Sequence, residues 1–350
     1  DFNLHLKAVD SLSIKIPSEE LTADGRVKMI PIKSVVQNVT GYLNIDRANN
    51  KSSYQKSPEY PIFKSDNQSY VYYDYPWIYN SVYNRNSFYF QVSPFTIDSV
   101  DNFKPEGLSF DGSLISAGIF PDIPEKLVIQ NDYSLGFKRV LGDAGLPAYA
   151  GKGTYYEKLN LSNSGLRGGG RITYLNSVSE SKDVVFFPDS ANADLDELVM
   201  SRKIIAGTEY PSGKAHDVYM NWGPKNDKMY LYKKSSNFSL YDGKVDHDGD
   251  LVLANTGLTG TGTISFEQAQ ILSNQFNFKG ITLNADTSDF RLKSSETGIL
   301  ALSTTNMKSF IDFEKRYGEF ASNGKGSYVT FPLNQYICYI EKFKWLMDDK

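Results

Sequence analysis

Cysteine is nearly absent. Cys338 is the only one in 350 residues, so no intrachain disulfide forms and no cysteine-based zinc site can be built. Histidine is scarce too: His5, His216 and His247 stand far apart, without the His-x-x-Glu-His or His-Glu-x-x-His spacing of zinc hydrolases. A Gly-x-Ser-x-Gly nucleophile elbow is also missing. No apolar run approaches the ~18 residues of a membrane-spanning helix, so no transmembrane segment is expected. Positive charge is not in excess. The 37 Lys+Arg face 41 Asp+Glu for a net of −4, with no stripe of clustered cations, which argues against nucleic acid as a partner. With 41 carboxylates any pair is conceivable as a glycosidase dyad, but none is singled out. No catalytic residue is assigned, and the chain is read as a non-enzyme.

What is present is a rich supply of core-forming residues. Hydrophobic residues make up 40% and aromatics 14%, including 24 Tyr and 21 Phe, which excludes disordered and collagenous chains. Short aromatic or β-branched runs recur, among them Tyr70-Val71-Tyr72-Tyr73, Phe88-Tyr89-Phe90, Val184-Val185-Phe186-Phe187 and Ile281-Thr282-Leu283. Gly, Asn, Asp, Ser and Pro punctuate them. Helical periodicity is confined to 192–203, around Leu195, Leu198 and Val199, and to 304–316, around Met307, Phe310 and Ile311. The expected class is mainly β: elongated tandem modules of the β-solenoid or open β-jellyroll type, with a few short helices.

An internal repeat organises the chain. Residues 149–194 align with 241–286 at a constant offset of 92, without a gap and with 16 identities in 46 positions. The shared string is Leu-x-Leu-x-Asn-[Ser/Thr]-Gly-Leu-x-Gly-x-Gly-x-Ile-[Ser/Thr]-[Tyr/Phe]. Leu-x-Leu is half of a strand with one buried face. Asn-[Ser/Thr]-Gly supplies a residue for positive φ at a tight corner, and Gly-x-Gly permits close backbone approach or a kink. The predicted division is 1–104, an aromatic-rich β region; 105–203, a first module; 204–300, its repeat; and 301–350, the start of a further module.

Two stretches are candidate sites. Asp246-His247-Asp248-Gly249-Asp250 has the alternate acids that could present oxygens to Ca²⁺, through Asp246, Asp248 and Asp250. The aligned stretch 154–158 has no such acids and the glycine is misplaced for an EF-hand, so a solvated turn is expected there. No other cofactor is indicated. Residues 70–95 hold 11 aromatics in 26 positions. Tyr and Trp pair an apolar face with a polar tip, which suits sugar stacking and protein interfaces as well as plain packing. Tyr72, Tyr75, Trp77 and Tyr79 are the ligand-binding candidates. Gly168-Gly169-Gly170 precedes a strand, Ile172-Thr173-Tyr174, and is read as a β-corner rather than a phosphate cradle. Cys338 is expected to be a buried, inert thiol.

The strings Gly165-Leu166-Arg167-Gly168-Gly169-Gly170, Phe186-Phe187-Pro188-Asp189-Ser190 and Asn334-Gln335-Tyr336 resemble large, uncharacterised envelope proteins of Bacteroidota. A weaker similarity links Ala269-Gln270-Ile271-Leu272 and Phe276 through Asp286 to the OstA-like and TamB-like grooved β-solenoids, whose open jellyrolls hold acyl chains. Asp10-Ser11-Leu12, Asp98-Ser99-Val100 and Asp189-Ser190-Ala191 match the O-glycosylation triplet of exported proteins in that phylum. The chain opens at Asp1 without a signal sequence and stops just after the apolar run 343–347, so a segment of a longer polypeptide is expected. The resemblance implies an extracytoplasmic location, periplasmic or at the cell surface, with envelope proteins, lipid or glycan as partners. The expected role is a structural or binding segment of a cell-envelope or surface protein. The alternatives are a lipid conduit along a trough lined by Phe276, Phe278, Ile281 and Leu283, and a carbohydrate-binding or polysaccharide-degrading β-protein.

Overall fold

The computed structural model describes residues 2–45, 59–100 and 107–348. The chain is mainly β, in large antiparallel sheets. Among the described residues there is no α-helix, only one-turn 3₁₀ segments at Tyr79–Ser81, Pro224–Asn226 and Pro332–Asn334. Two units are interleaved in sequence. Unit 1 comprises Asp1–Gly151, Tyr156–Gly168 and Val185–Pro188; unit 2 comprises Lys152–Tyr155, Gly169–Val184 and Asp189–Lys350.

In unit 1 the strands run as an antiparallel meander. Phe2–Leu12 pairs with Val36–Ile45, which also pairs with Ile62–Ser65 and Ser69–Tyr72. Ser69–Tyr72 continues through Phe88–Val92, Ser109–Ser116 and Ile123–Ile129 to Leu135–Val140. Period-two alternation drops Val71, Phe88, Phe90, Val92, Phe110 and Leu114 into the interior, each fully buried. At ~1.5–3 kcal/mol per buried large side chain, this aliphatic–aromatic layer is the main source of the unit's stability.

Unit 2 is built from long strands that change partners along their length. Val245–Ala254 pairs with Phe238–Leu240 at one end and with Lys228–Lys233 at the other. Thr282–Lys293 pairs with Met307–Asp312 and, beyond a bulge, with Leu300–Thr305. Each such strand therefore turns a corner between two walls that close on Met220, Trp222, Met229, Leu231, Phe238 and Phe276, all fully buried.

Both segments expected to be helical are strands. Residues 192–203 contain parts of Ala191–Leu195 and Glu197–Met200, and 304–316 contain Met307–Asp312. In each, a single corner residue, Asp196 or Asn306, separates two strands. At Asp196 that break shifts the alternation, so Leu195, Leu198 and Val199 fall at i, i+3 and i+4 as on a helix. Met307, Phe310 and Ile311 show the same spacing inside one strand, Met307–Asp312, because Phe310 is an apolar residue on the face opposite Met307 and Ile311. Burial decides the matter: Met307, Ser309 and Ile311 are buried in strict alternation, with exposed Lys308 and half-buried Phe310 between them. The Cys338 thiol is half-buried rather than buried, because Tyr336–Cys338 pairs on one side only and leaves Tyr336 and Ile337 exposed.

The stretches aligned at offset 92 have the same local structure. Strands Gly153–Ser162, Gly165–Tyr174 and Ser177–Phe186 differ from Val245–Ala254, Gly257–Phe266 and Ala269–Phe278 by 92 at every start and every end. Leu159, Leu161, Leu166, Ile172 and Phe186 are buried, and so are Leu251, Leu253, Leu258, Ile264 and Phe278. Gly165 and Gly257 both take positive φ, +93° and +130°, directly after two-residue corners. The next corners use Leu175 and Glu267, at φ 51° and 50°. Ser181 and Ser273 serve one purpose: each hydroxyl donates to a carbonyl on the next strand, Asp194 or Thr287, and accepts the amide two residues on.

Candidate functional site

The aromatic stretch separates into a packed side and an open side. Ser69–Tyr72 and Phe88–Val92 are paired, so Val71, Phe88 and Phe90 face the interior, while Tyr70, Tyr72 and Tyr89 share the outer face. On that face Tyr70 lies over Tyr72 at 6.0 Å and Tyr89 meets Tyr70 edge-on at 5.6 Å. Arg85 holds Asp74 through Nε at 2.6 Å and Nη2 at 3.2 Å, and its guanidinium sits 4.7 Å from the Tyr72 ring centre. Partial burial pushes the Tyr72 and Tyr75 phenols above their ordinary range, and Arg85 opposes this at both. Trp77 is 65% exposed and stacks on Tyr75 at 4.7 Å with an interplanar angle of 9°. Tyr72, Tyr75 and Trp77 are thus associated through Arg85 and ring stacking.

Tyr79 does something else. Its hydroxyl accepts from Arg167 Nη1 at 3.0 Å and its ring meets Phe187 edge-on at 5.0 Å. With Tyr83 it covers the Gly165 corner, where an added Cβ would lie 2.8 Å from Tyr79 Cε2 and 2.9 Å from Tyr83 Oη. Tyr83 is fully buried; its hydroxyl donates to Phe186 O at 2.8 Å and accepts from Leu166 N at 3.1 Å. These two rings close a corner.

The acidic stretch is not a turn. Asp246, Asp248 and Asp250 lie within strand Val245–Ala254, exposed on one face, because the register with Gly257–Phe266 continues unbroken through them. Alternate residues on a strand stand about 6.5 Å apart, so these carboxylates fan out rather than converge. Each is already engaged: Asn237 donates to Asp246, Lys233 Nζ to Asp248, and Lys233 N to Asp250. Among the described residues no group of three or more His, Cys, Asp or Glu is placed to hold a metal ion.

Between those acids, His247 points inward. It is fully buried among Phe238, Phe276 and Phe278, at ring distances of 6.1, 6.0 and 5.4 Å. Nε2 lies 3.4 Å from Asp250 O, and Nδ1 has no hydrogen-bond partner. Burial holds its pKa below the ordinary value. Because the folded value is the lower one, the unfolded chain takes up the proton first. Stability from this site is therefore full above about pH 6.5 and is lost as pH falls from there toward the folded value. Urea titrations from pH 7.5 to 5 are expected to show unit 2 weakening, and His247→Leu is expected to flatten that slope. An equal slope in the variant would assign the effect to other groups.

The second corner is open. Gly257 is the counterpart of Gly165, yet a Cβ there would meet only Thr208 Cγ2, at 3.8 Å. Beside it is a pocket of about 450 Å³ within unit 2, bordered by Thr208, Glu209, Thr259, Asn277, Lys279 and Asn284. Thr259, Asn277 and Asn284 are directly opposite one another on three adjacent strands. The available signal was the aligned columns: Arg167, Val185 and Phe187 become Thr259, Asn277 and Lys279.

No family model, curated protein or solved structure matches the chain. The functional reading therefore rests on the sheet, its two corresponding stretches and the surfaces just described.

Proposed function

We propose that the chain is a non-enzymatic structural and binding segment of a larger bacterial cell-envelope or surface protein, with one β module present in two tandem copies. The observation that carries this reading is the 92-residue register. Three successive strands start and stop at corresponding residues, bury corresponding leucines and phenylalanines, and turn on corresponding glycines. Repeated sheet modules supply extended wall and surface, which is what a scaffold uses, and they need no reacting centre. The side chains available for chemistry fit this: the clustered acids are spaced along a strand and paired with a lysine and an asparagine.

A carbohydrate-binding reading is favoured by Trp77, whose open ring face, backed by Tyr75, is the usual apparatus for stacking on a sugar. The lipid-conduit reading has less support. Phe276, Phe278 and Leu283 are 0–1% exposed and belong to the packed interior rather than to an open trough.

Fractionation of cells carrying the native protein, probed with an antibody to this chain, tests the proposal. Recovery with the envelope, together with no turnover of a polysaccharide panel by the purified chain, is the expected result. Recovery in the cytosol, or hydrolysis that disappears when a carboxylate pair is changed to amides, would overturn it.

A further inference from the structure

The two glycine corners share a backbone and differ in what covers them, and that difference goes beyond the scaffold reading. At Gly165 the space above the corner is taken by the rings of Tyr79 and Tyr83, with Arg167 and Phe187 completing the contact. At Gly257 the corresponding space is the pocket of about 450 Å³. Its lining has changed in character as well as in occupancy. Where the first corner has Arg167, Val185 and Phe187, the second has a hydroxyl, an amide and an ammonium in Thr259, Asn277 and Lys279.

The chemistry of that lining restricts the occupant. Glu209 and Lys279 contribute one charge of each sign, so the walls favour neither an anion nor a cation. Thr259, Asn277 and Asn284 form a row across three adjacent strands, presenting a hydroxyl and two carboxamides at the inter-strand spacing of about 4.8 Å. Neither amide is engaged by another side chain among the described residues, so both offer donors and acceptors to the pocket. An apolar ligand would strand these groups without partners. A neutral ring bearing several hydroxyls would satisfy them. The volume lies within the range of small-ligand sites, about 300–1,000 Å³.

We infer that the pocket at the Gly257 corner is a binding site for a neutral saccharide ring. It occupies the place that two tyrosines fill in the other copy, and it is distinct from the aromatic face around Trp77.

Saturation-transfer NMR on the full 350-residue chain tests this, with free glucose, galactose, mannose, N-acetylglucosamine and N-acetylgalactosamine as probes. At least one sugar is expected to receive saturation from the protein. Binding is expected to weaken at least tenfold in Asn284→Ala and in Thr259→Trp, which fills the pocket, and to survive Trp77→Ala. No transfer to any of the five sugars would overturn the proposal. So would binding that persists in both pocket variants, or that is lost only with Trp77→Ala. Should Thr259→Trp fail to show a cooperative melt, Asn284→Ala, a half-buried truncation at the pocket rim, gives the deciding comparison.

Discussion

Gly262→Ala is expected to unfold unit 2 under conditions where the native chain is folded. Gly262 has φ +122°, and a Cβ there would lie 2.2 Å from Asp248 O and 2.9 Å from Gly249 Cα. Its cross-strand partner is Gly249, itself without room, since a Cβ there would sit 1.8 Å from Thr261 O. Two glycines face each other where the ladder also shifts register, between Gly260 and Gly262. The strand Gly257–Phe266 is hydrogen-bonded on both sides, so it cannot back away. Backbone strain of about 1–3 kcal/mol is then added to a contact that only moving a strand relieves, and a total above about 3 kcal/mol is expected. Gly298→Ala is the control. It also has positive φ, +68°, but nothing within 4 Å, so only the conformational cost of about 1 kcal/mol applies. Urea unfolding of the two variants checks this, and similar midpoints would show that close approach does not govern the corner.

Removing the Tyr83 ring is expected to be the most damaging single truncation in the aromatic stretch. The side chain is fully buried, and burial keeps its phenol neutral far above the ordinary tyrosine range. Tyr83→Ala opens a cavity and is expected to cost about 3–5 kcal/mol, as for other buried aromatics. Tyr83→Phe keeps the ring but leaves Leu166 N–H and Phe186 C=O without their partner, for about 1–3 kcal/mol. Tyr79→Ala should cost less than either, because Tyr79 is 40% exposed. Thermal melts of the three variants give the order; a Tyr79 effect larger than that of Tyr83 would reverse the assignment of the closing residue.

Much of this was visible in the amino-acid order. The β class followed from short aromatic and β-branched runs, and the Leu-x-Leu strands and the Gly165 and Gly257 corners lie where their spacing indicated, whereas Gly168-Gly169-Gly170, read as a corner, lies inside strand Gly165–Tyr174. The segment 192–203 misled because the corner at Asp196 breaks a period of two into a pattern with helical spacing, and 304–316 because Phe310, on the less buried face of its strand, adds an apolar residue at i+3. The corners at Leu175 and Glu267 carry no glycine or Asn-Gly signal, so only the backbone reveals them. Division of labour among the tyrosines depends on tertiary packing: Tyr73 and Tyr83 are buried while Trp77 lies open, though all belong to one aromatic run. The Thr259–Asn277–Asn284 row was hidden for a related reason. Those residues are far apart along the chain and meet only through strand register.

Two buried tyrosine hydroxyls, those of Tyr83 and Tyr210, tie down strand ends at different distances along the chain, and this bears on the order of assembly. Tyr83 reaches 83 residues forward to Leu166 and 103 to Phe186, whereas Tyr210 donates to Ala254 O only 44 residues on. Loop closure becomes dearer by about 0.6 kcal/mol per doubling of length. The Tyr210 contact therefore closes at lower entropic cost and, on a nascent chain, soon after its partner emerges. The earlier one must wait, with its aromatic rings unburied, until roughly a hundred further residues have been synthesised.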